Sequence, residues 1–198
     1  RDEALRARLL ARCGLAPDAT LLIGMGRLSS EKRWPMVIEA ATAAGYAHPV
    51  GFILLGAGRD KARVVRAAAN NPHIHLGAPV TDRHELAAIL ASADARVHGC
   101  EAETFCMAAA DAKASGLPLI VPDEGGASDH CLHGQGERYR AADAASLAQA
   151  ISRFLSNNPA RQRMRAAFAA PGVRDMERHF DELFDAYRAQ LKMRRDAA

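Results

Sequence analysis

Aromatic residues are scarce in this chain: six Phe, three Tyr and one Trp among 198 residues, 5% of the total. That scarcity excludes an aromatic-plus-basic stripe of the kind that stacks single-stranded bases. Charge of one sign is lacking too. Twenty-six Lys and Arg stand against twenty-three Asp and Glu, a net charge of +3. This suits an anionic small ligand and is too little to argue for nucleic acid. No apolar run approaches the ~20 residues of a membrane span, and no signal peptide is visible. Cysteine is limited to Cys13, Cys100, Cys106 and Cys131, with no C-x-x-C pair. These read as free thiols in a reducing cytoplasm, not as a disulfide framework.

Several catalytic signatures are missing as well. There is no P-loop, no G-x-S-x-G elbow and no D-x-D. Gly56-Ala57-Gly58 begins like a dinucleotide fingerprint, but its third glycine position holds Lys61. Eight histidines occur. His73 and His75 alternate on a strand, and His130 and His133 flank Cys131; neither set has the further ligands a zinc site needs. No metal and no cofactor is expected.

What is present is a rhythm. Short apolar or β-branched runs alternate with Ala-rich stretches. The pattern predicts strands at Leu21–Met25, Val50–Leu55, His73–Leu76, Ala95–His98 and Leu119–Val121. Helices are predicted at Arg1–Cys13, Trp34–Ala44, Asp60–Asn70, Arg83–Ala93, Thr104–Ser115, Leu147–Leu155, Ala160–Ala169 and Arg174–Met193. On the last, Met176, Phe180, Leu183, Phe184, Tyr187 and Leu191 share one face. Such alternation means βαβ units: an α/β, Rossmann-like domain, its parallel sheet covered by helices on both faces. The length suits one domain, residues 1–198. Because the chain opens on Arg1 within a stretch already reading as helix, we expect it to continue from a longer protein on its amino-terminal side.

Ligands of such sheets bind at the carboxyl ends of the strands. After the first strand, Gly26 lets the backbone bend, and Arg27 and Lys32 place two cations on one loop. They suit a diphosphate, or form a solvated basic loop. Gly56-Ala57-Gly58 allows close approach of a ligand or of a neighbouring loop. Gly77-Ala78-Pro79-Val80 is a turn able to meet a planar base, or simply a connection. After the fourth strand, Glu103, Thr104, Phe105, Cys106 and Met107 feed a helix whose free amides suit phosphate or sugar oxygens. Glu103 reads as a cap charge or as an acceptor of sugar hydroxyls. Asp111, about two turns on, shares its face or is an ordinary exposed helix residue. Asp123-Glu124-Gly125-Gly126 again permits a close backbone approach to ligand, but its adjacent acids are not read as an acid/base pair.

Taken in order, Gly26-Arg27-Leu28 with Glu31-Lys32, Glu103-Thr104-Phe105 through Asp111, and Ala114-Ser115-Gly116-Leu117-Pro118 resemble glycosyltransferase family 4 enzymes of the GT-B fold. The resemblance runs from about Leu21 to the final helix and concerns the family's C-terminal, donor-binding domain. It implies transfer of a hexose from a nucleotide diphosphate sugar, with retention and usually without a metal. It implies donor phosphates on Arg27 and Lys32, sugar hydroxyls on Glu103, backbone amides of Phe105, Cys106 and Met107 facing sugar and phosphate, and ribose on Asp111. On this basis Glu103, Arg27 and Lys32 are the candidate catalytic residues. Gly26, Val80 and Thr104 join the others as candidate donor contacts. The second acid is Asp where the family has Glu, and Phe105-Cys106-Met107 stands for the common Phe-Gly-Leu. The Glu-Thr-Phe-Cys variant is similar to that of some bacterial mannosyltransferases that use GDP-mannose. The resemblance leaves open a UDP-sugar or GDP-sugar donor and a glycan or lipid-linked acceptor. It further implies an N-terminal acceptor domain beyond this chain and a cytoplasmic place, which in such enzymes is often peripheral to the inner face of the membrane. The other readings are a different GT-B enzyme, such as a nucleotide-sugar epimerase or a phosphorylase, and a non-catalytic module keeping the fold.

Overall fold

A computed structural model describes residues 1–168 and 176–196, with the backbone alone for 195 and 196. Six strands form one parallel sheet: β1 Thr20–Met25, β2 Val50–Leu55, β3 Ile74–Gly77, β4 Ala95–Val97, β5 Leu119–Pro122 and β6 Gly136–Tyr139. The spatial order is β3-β2-β1-β4-β5-β6. In β1, Leu22 pairs with Phe52 on one side and with Ala95 on the other.

The helices are α1 Glu3–Arg12, α2 Trp34–Gly45, α3 Lys61–Ala68, α4 Arg83–Ser92, α5 Met107–Ala114, α6 Gly126–His130, α7 Ala144–Ser156, α8 Asn158–Ala166 and α9 Met176–Asp196. Their starts have local causes. Asp2, Asp82 and Asp143 each accept a hydrogen bond from an amide of the first turn, at 2.8–3.0 Å. Each such cap is worth about 1 kcal/mol. Among the described residues no helix is long and apolar enough to cross a membrane.

The sheet is covered on both faces, because successive strand residues point to opposite sides. Leu22, Phe52, Leu54 and Ile120 pack with α2 and α7 through Val37, Ile38, Ile151 and Phe154. Leu21, Ile23, Ile53 and Leu119 pack with α1 and α4 through Leu9, Leu10, Ile89 and Leu90. Burying one such side chain contributes about 1.5–3 kcal/mol. Gly24 makes room for the largest of them: a Cβ there would meet Phe52 and Trp34 at 2.8 Å.

The expected α/β parallel architecture is what the chain adopts. Several element ends shift by a few residues, and three details near the site or missed altogether stand out. β4 ends at Val97 rather than His98, although the His98 amide still donates to the Ile120 carbonyl at 2.9 Å. α6 and the strand β6, which reads Gly-Glu-Arg-Tyr, carry no apolar run to announce them. α5 starts at Met107 rather than Thr104, because Cys106 takes a left-handed backbone with φ 61°. The predicted starts at Arg174 and end at Ala169 lie outside the described residues. Along α9, Met176, Phe180, Phe184, Tyr187 and Leu191 are exposed.

Candidate functional site at the reversal of strand order

The first connections from β1 run one way, to β2 and β3; the later strands run the other way, from β4. In a doubly wound sheet the crevice opens where that order reverses, outside the carboxyl ends of β1 and β4. Two loops therefore make the site: 26–33 after β1 and 98–106 after β4.

The first loop is held by its neighbours. Trp34, fully buried, donates from Nε1 to the Arg27 carbonyl at 2.8 Å. The Leu28 amide donates to the Ala57 carbonyl and the Asp60 amide to the Leu28 carbonyl, both at 2.9 Å. A Cβ on Gly56 or Gly58 would run into the carbonyls of Gly26 and Leu28. The Gly-x-Gly pair thus lets one loop approach another.

The second loop is held in the same way from β5. A Cβ on Gly125 or Gly126 would run into the backbone of Glu101 or Thr104, and the Gly126 amide donates to the Glu103 carbonyl at 2.8 Å. This corrects the expectation that these glycines open the way to a ligand: the backbone they admit is the chain's own. Asp123 is likewise committed, accepting from the Ala141 amide at 2.9 Å.

Two ion pairs join the loops across the crevice. Lys32 Nζ contacts Glu103 Oε1, with side chains only 13% and 21% exposed. Arg33 grips Glu101 with two nitrogens, one at 3.0 Å. That grip, by hydrogen bonding first, holds the Glu101 carboxyl below the usual carboxylate range. Beneath Glu103 lie Arg96 and His98, both buried. Arg96 Nη2 is 3.1 Å from His98 Nδ1. His98 Nε2 is 3.4 Å from Glu103 Oε1 and 3.6 Å from Cys106 Sγ. Burial pushes the His98 imidazole down to about 2, helped by the cations Arg96 and Lys32. Tyr139 fixes the end of β4 by donating to the His98 carbonyl at 2.8 Å.

Beyond Glu103, the amides of Phe105, Cys106 and Met107 donate to no acceptor among the described residues. They open α5, where backbone N–H groups and the helix dipole favour anions. Phe105, Met107 and Thr104 are exposed. Beside them an apolar cleft of about 260 Å³ is lined by Gly26, Arg27, Leu55, Val80, Leu86 and Ala108, among others.

The candidate residues are therefore placed unequally. Lys32 and Glu103 touch. Gly26, Arg27 and Val80 share the cleft. Arg27 is 79% exposed, reaching Glu31 at only 3.5 Å, so it is not the second fixed cation that the sequence puts beside Lys32. Glu103 precedes α5 by four residues and pairs with Lys32, which overturns its reading as a helix-cap charge. The shared helical face of Glu103 and Asp111 falls with it. Asp111 turns instead toward α4, 3.9 Å from the exposed Arg83, a contact worth little.

Arg33, Arg96 and His98 escape the sequence reading. Their signal was available: Arg96 is a charge inside a strand buried on both faces, and His98 follows at the same-side spacing. His73, His75, His130 and His133, the histidines weighed as metal ligands from sequence, are not the ones that meet a carboxylate and a thiol. Proximity groups His98, Glu103 and Cys106 instead, with ligand atoms within 4.8 Å. Arg96 speaks against a cation there. A guanidinium only donates, so Nδ1 must accept and the proton lies on Nε2, the atom that would coordinate.

Comparison with known proteins gives the family. The family described as "Glycosyl transferases group 1" matches residues 9–169. A GDP-mannose-dependent alpha-mannosyltransferase of Mycobacterium tuberculosis is 37% identical over 130 residues, 65% of this chain and 31% of that protein. A glycogen synthase of the same species is 33% identical over 173 residues, 81% of this chain and 40% of that protein. The chain thus spans well under half the length of these relatives. Among solved structures, the lipopolysaccharide outer core galactosyltransferase WaaB superposes with a TM-score of 0.72 at 16% identity, over 87% of this chain and 50% of the other. The pneumococcal O-GlcNAc transferase GtfA, in complex with UDP and GlcNAc, gives 0.67 at 21%, over 78% and 35%. At such identities the likeness is one of fold, that of the GT-B glycosyltransferases. By the family match over most of its length, this chain belongs to the group 1 glycosyltransferases.

Proposed function

We propose that this chain is the donor-binding domain of a retaining glycosyltransferase and that its crevice holds a nucleotide diphosphate hexose. The observation that carries this reading is the meeting of Lys32, Glu103 and three open amides at the reversal of strand order. A half-buried carboxylate beside a cation and an amide-rich helix start offers acceptors for sugar hydroxyls next to donors for phosphate. The names of the mannosyltransferase relatives favour GDP-mannose as the donor.

In this reading Glu103 binds sugar hydroxyls, and the amides of Phe105, Cys106 and Met107 bind sugar and phosphate oxygens. Lys32 supplies fixed positive charge, and Arg27 swings in from solvent to fork onto the diphosphate. The base enters the apolar cleft by Val80 and Gly26, and Asp111 reaches the ribose. Catalysis is electrostatic: these donors stabilise the diphosphate as the glycosidic bond breaks. Nothing in the chain reads as a general base. An amino-terminal acceptor domain, a glycan or lipid-linked acceptor and a cytoplasmic location complete the proposal.

Calorimetry tests it. The isolated chain binds GDP or UDP weakly and transfers no sugar. Arg27→Ala and Lys32→Met each weaken nucleotide binding by about tenfold, the scale of one charge-assisted contact; Lys192→Met leaves it unchanged. No binding of either nucleotide at millimolar concentration contradicts the proposal.

A further inference from the structure

Arg96 is a fully buried cation in the central strand, and it is poorly satisfied. Its Nη2 meets His98, but Nε and Nη1 have no hydrogen-bond partner. Orphaned donors on a buried guanidinium are costly. What this arrangement achieves is a fixed tautomer. A guanidinium has no lone pair to offer, so His98 Nδ1 accepts and His98 Nε2 carries the hydrogen. That nitrogen makes its hydrogen-bond contact with Cys106 Sγ at 3.6 Å and lies 3.4 Å from Glu103 Oε1, an electrostatic contact. With the opposite tautomer, a nitrogen lone pair would face the carboxylate and repel it.

The consequence falls on one oxygen. Lys32 Nζ and His98 Nε2 both address Glu103 Oε1. Oε2 has no hydrogen-bond partner among the described residues. The carboxylate is pinned by one oxygen and open at the other.

We propose that Arg96 and His98 are positioning residues: Arg96 fixes the His98 tautomer, and the N–H so presented, with Lys32, holds Glu103 so that Oε2 faces a hydroxyl of the donor sugar. This rests on the donor-site reading above. It concerns the sugar, not the nucleotide, and that separates the two in experiment.

The first measurement is long-range proton–nitrogen correlation on the nitrogen-15-labelled chain at pH 7. His98 is expected neutral, with its hydrogen on Nε2. In Arg96→Met the Nδ1–H tautomer becomes populated. The second measurement is the affinity for GDP-mannose relative to GDP. Arg96→Met and His98→Ala lower that ratio by about tenfold, the effect of one misplaced hydrogen-bonding group, while GDP affinity stays within about twofold. His98→Gln, whose side-chain amide donates from nearly the same place, recovers most of the ratio.

Hydrogen on Nδ1 in the unmodified chain overturns the proposal without any variant, so it stands testable even if Arg96→Met fails to fold. An equal fall in GDP and GDP-mannose affinity overturns it too, since a merely structural role weakens both alike. So do thiolate–cobalt absorption bands on adding Co²⁺, which would make His98, Glu103 and Cys106 a metal site. A chain that gives the Nε2–H signal but binds neither ligand overturns the donor-site reading on which the proposal rests.

Discussion

A histidine that stays neutral beside a carboxylate leaves a trace in stability. His98 is pushed down to about 2 by burial and by the flanking Arg96 and Lys32. Unfolded, it takes up a proton near its ordinary 6.5. Between those values the unfolded chain binds the extra proton, so folding weakens as pH falls from about 6.5 and is fully favoured above it. The slope is about 1.4 kcal/mol per pH unit for one proton. Denaturant unfolding at pH 7, 6 and 5 should show the loss, and His98→Gln should flatten it. The depressed carboxyl of Glu101 acts in a lower window: its contribution is present above the ordinary carboxylate range and disappears as pH falls below it. The glycines give a second contrast at this scale. Gly116 and Gly125 both have positive φ, 69° and 77°. Around Gly116 an added Cβ meets nothing, whereas at Gly125 it strikes the Glu101 backbone. Gly116→Ala should cost about 1–2 kcal/mol, or roughly 2–8 °C in Tm. Gly125→Ala should cost more, about 2–5 kcal/mol with the clash added, and displace the 101–105 loop. Equal thermal shifts would show that the clash is relieved without consequence. Lys32 and Glu103 were legible in the sequence because they follow strands in a recurring order. Arg96 was less so: a cation inside an apolar strand stands out, but its role shows only once His98, two residues on, is seen to meet it.

The elements that matter most here are the two crevice loops, and their stiffness comes from opposite sides. Backbone contact with the β2 and β5 loops presses each into place, and Arg33–Glu101 with Lys32–Glu103 ties them to one another. Arg33 and Glu101 are partly exposed, so their pairing is worth about 1 kcal/mol at most, less at high salt. A double-mutant cycle of Arg33→Met and Glu101→Gln should return a coupling of that size, halved or lower at molar salt. Coupling that ignores salt would mean the two are joined by shape rather than charge. The strands β1, β2 and β5 were readable from unbroken apolar runs buried on both faces. β6 was not: Gly136, Glu137 and Arg138 are polar, and only pairing with β5 makes them a strand. The start of α5 was misplaced for a different reason. Thr104 offers a good cap, yet Cys106 turns left-handed and delays the helix to Met107. Glycine is relaxed in that conformation and cysteine is not. The departure from Phe-Gly-Leu therefore falls at the residue whose backbone would most favour glycine.

For the whole molecule, the order β3-β2-β1-β4-β5-β6 decides where a ligand can lie. Strand and helix spacing already pointed to the carboxyl ends of the strands, because that rule holds for open parallel sheets whatever their strand order. In the proposed reading a nucleotide sugar occupies the crevice between the ends of β1 and β4. The most direct test is mapping backbone amide shifts of the nitrogen-15-labelled chain on titration with GDP-mannose. Saturable changes are expected, concentrated at Gly26, Lys32, Val80 and Glu103–Met107. Changes gathered instead at the opposite end of the sheet, around Arg6, Arg161 and Arg165, or no change at millimolar ligand, would contradict it.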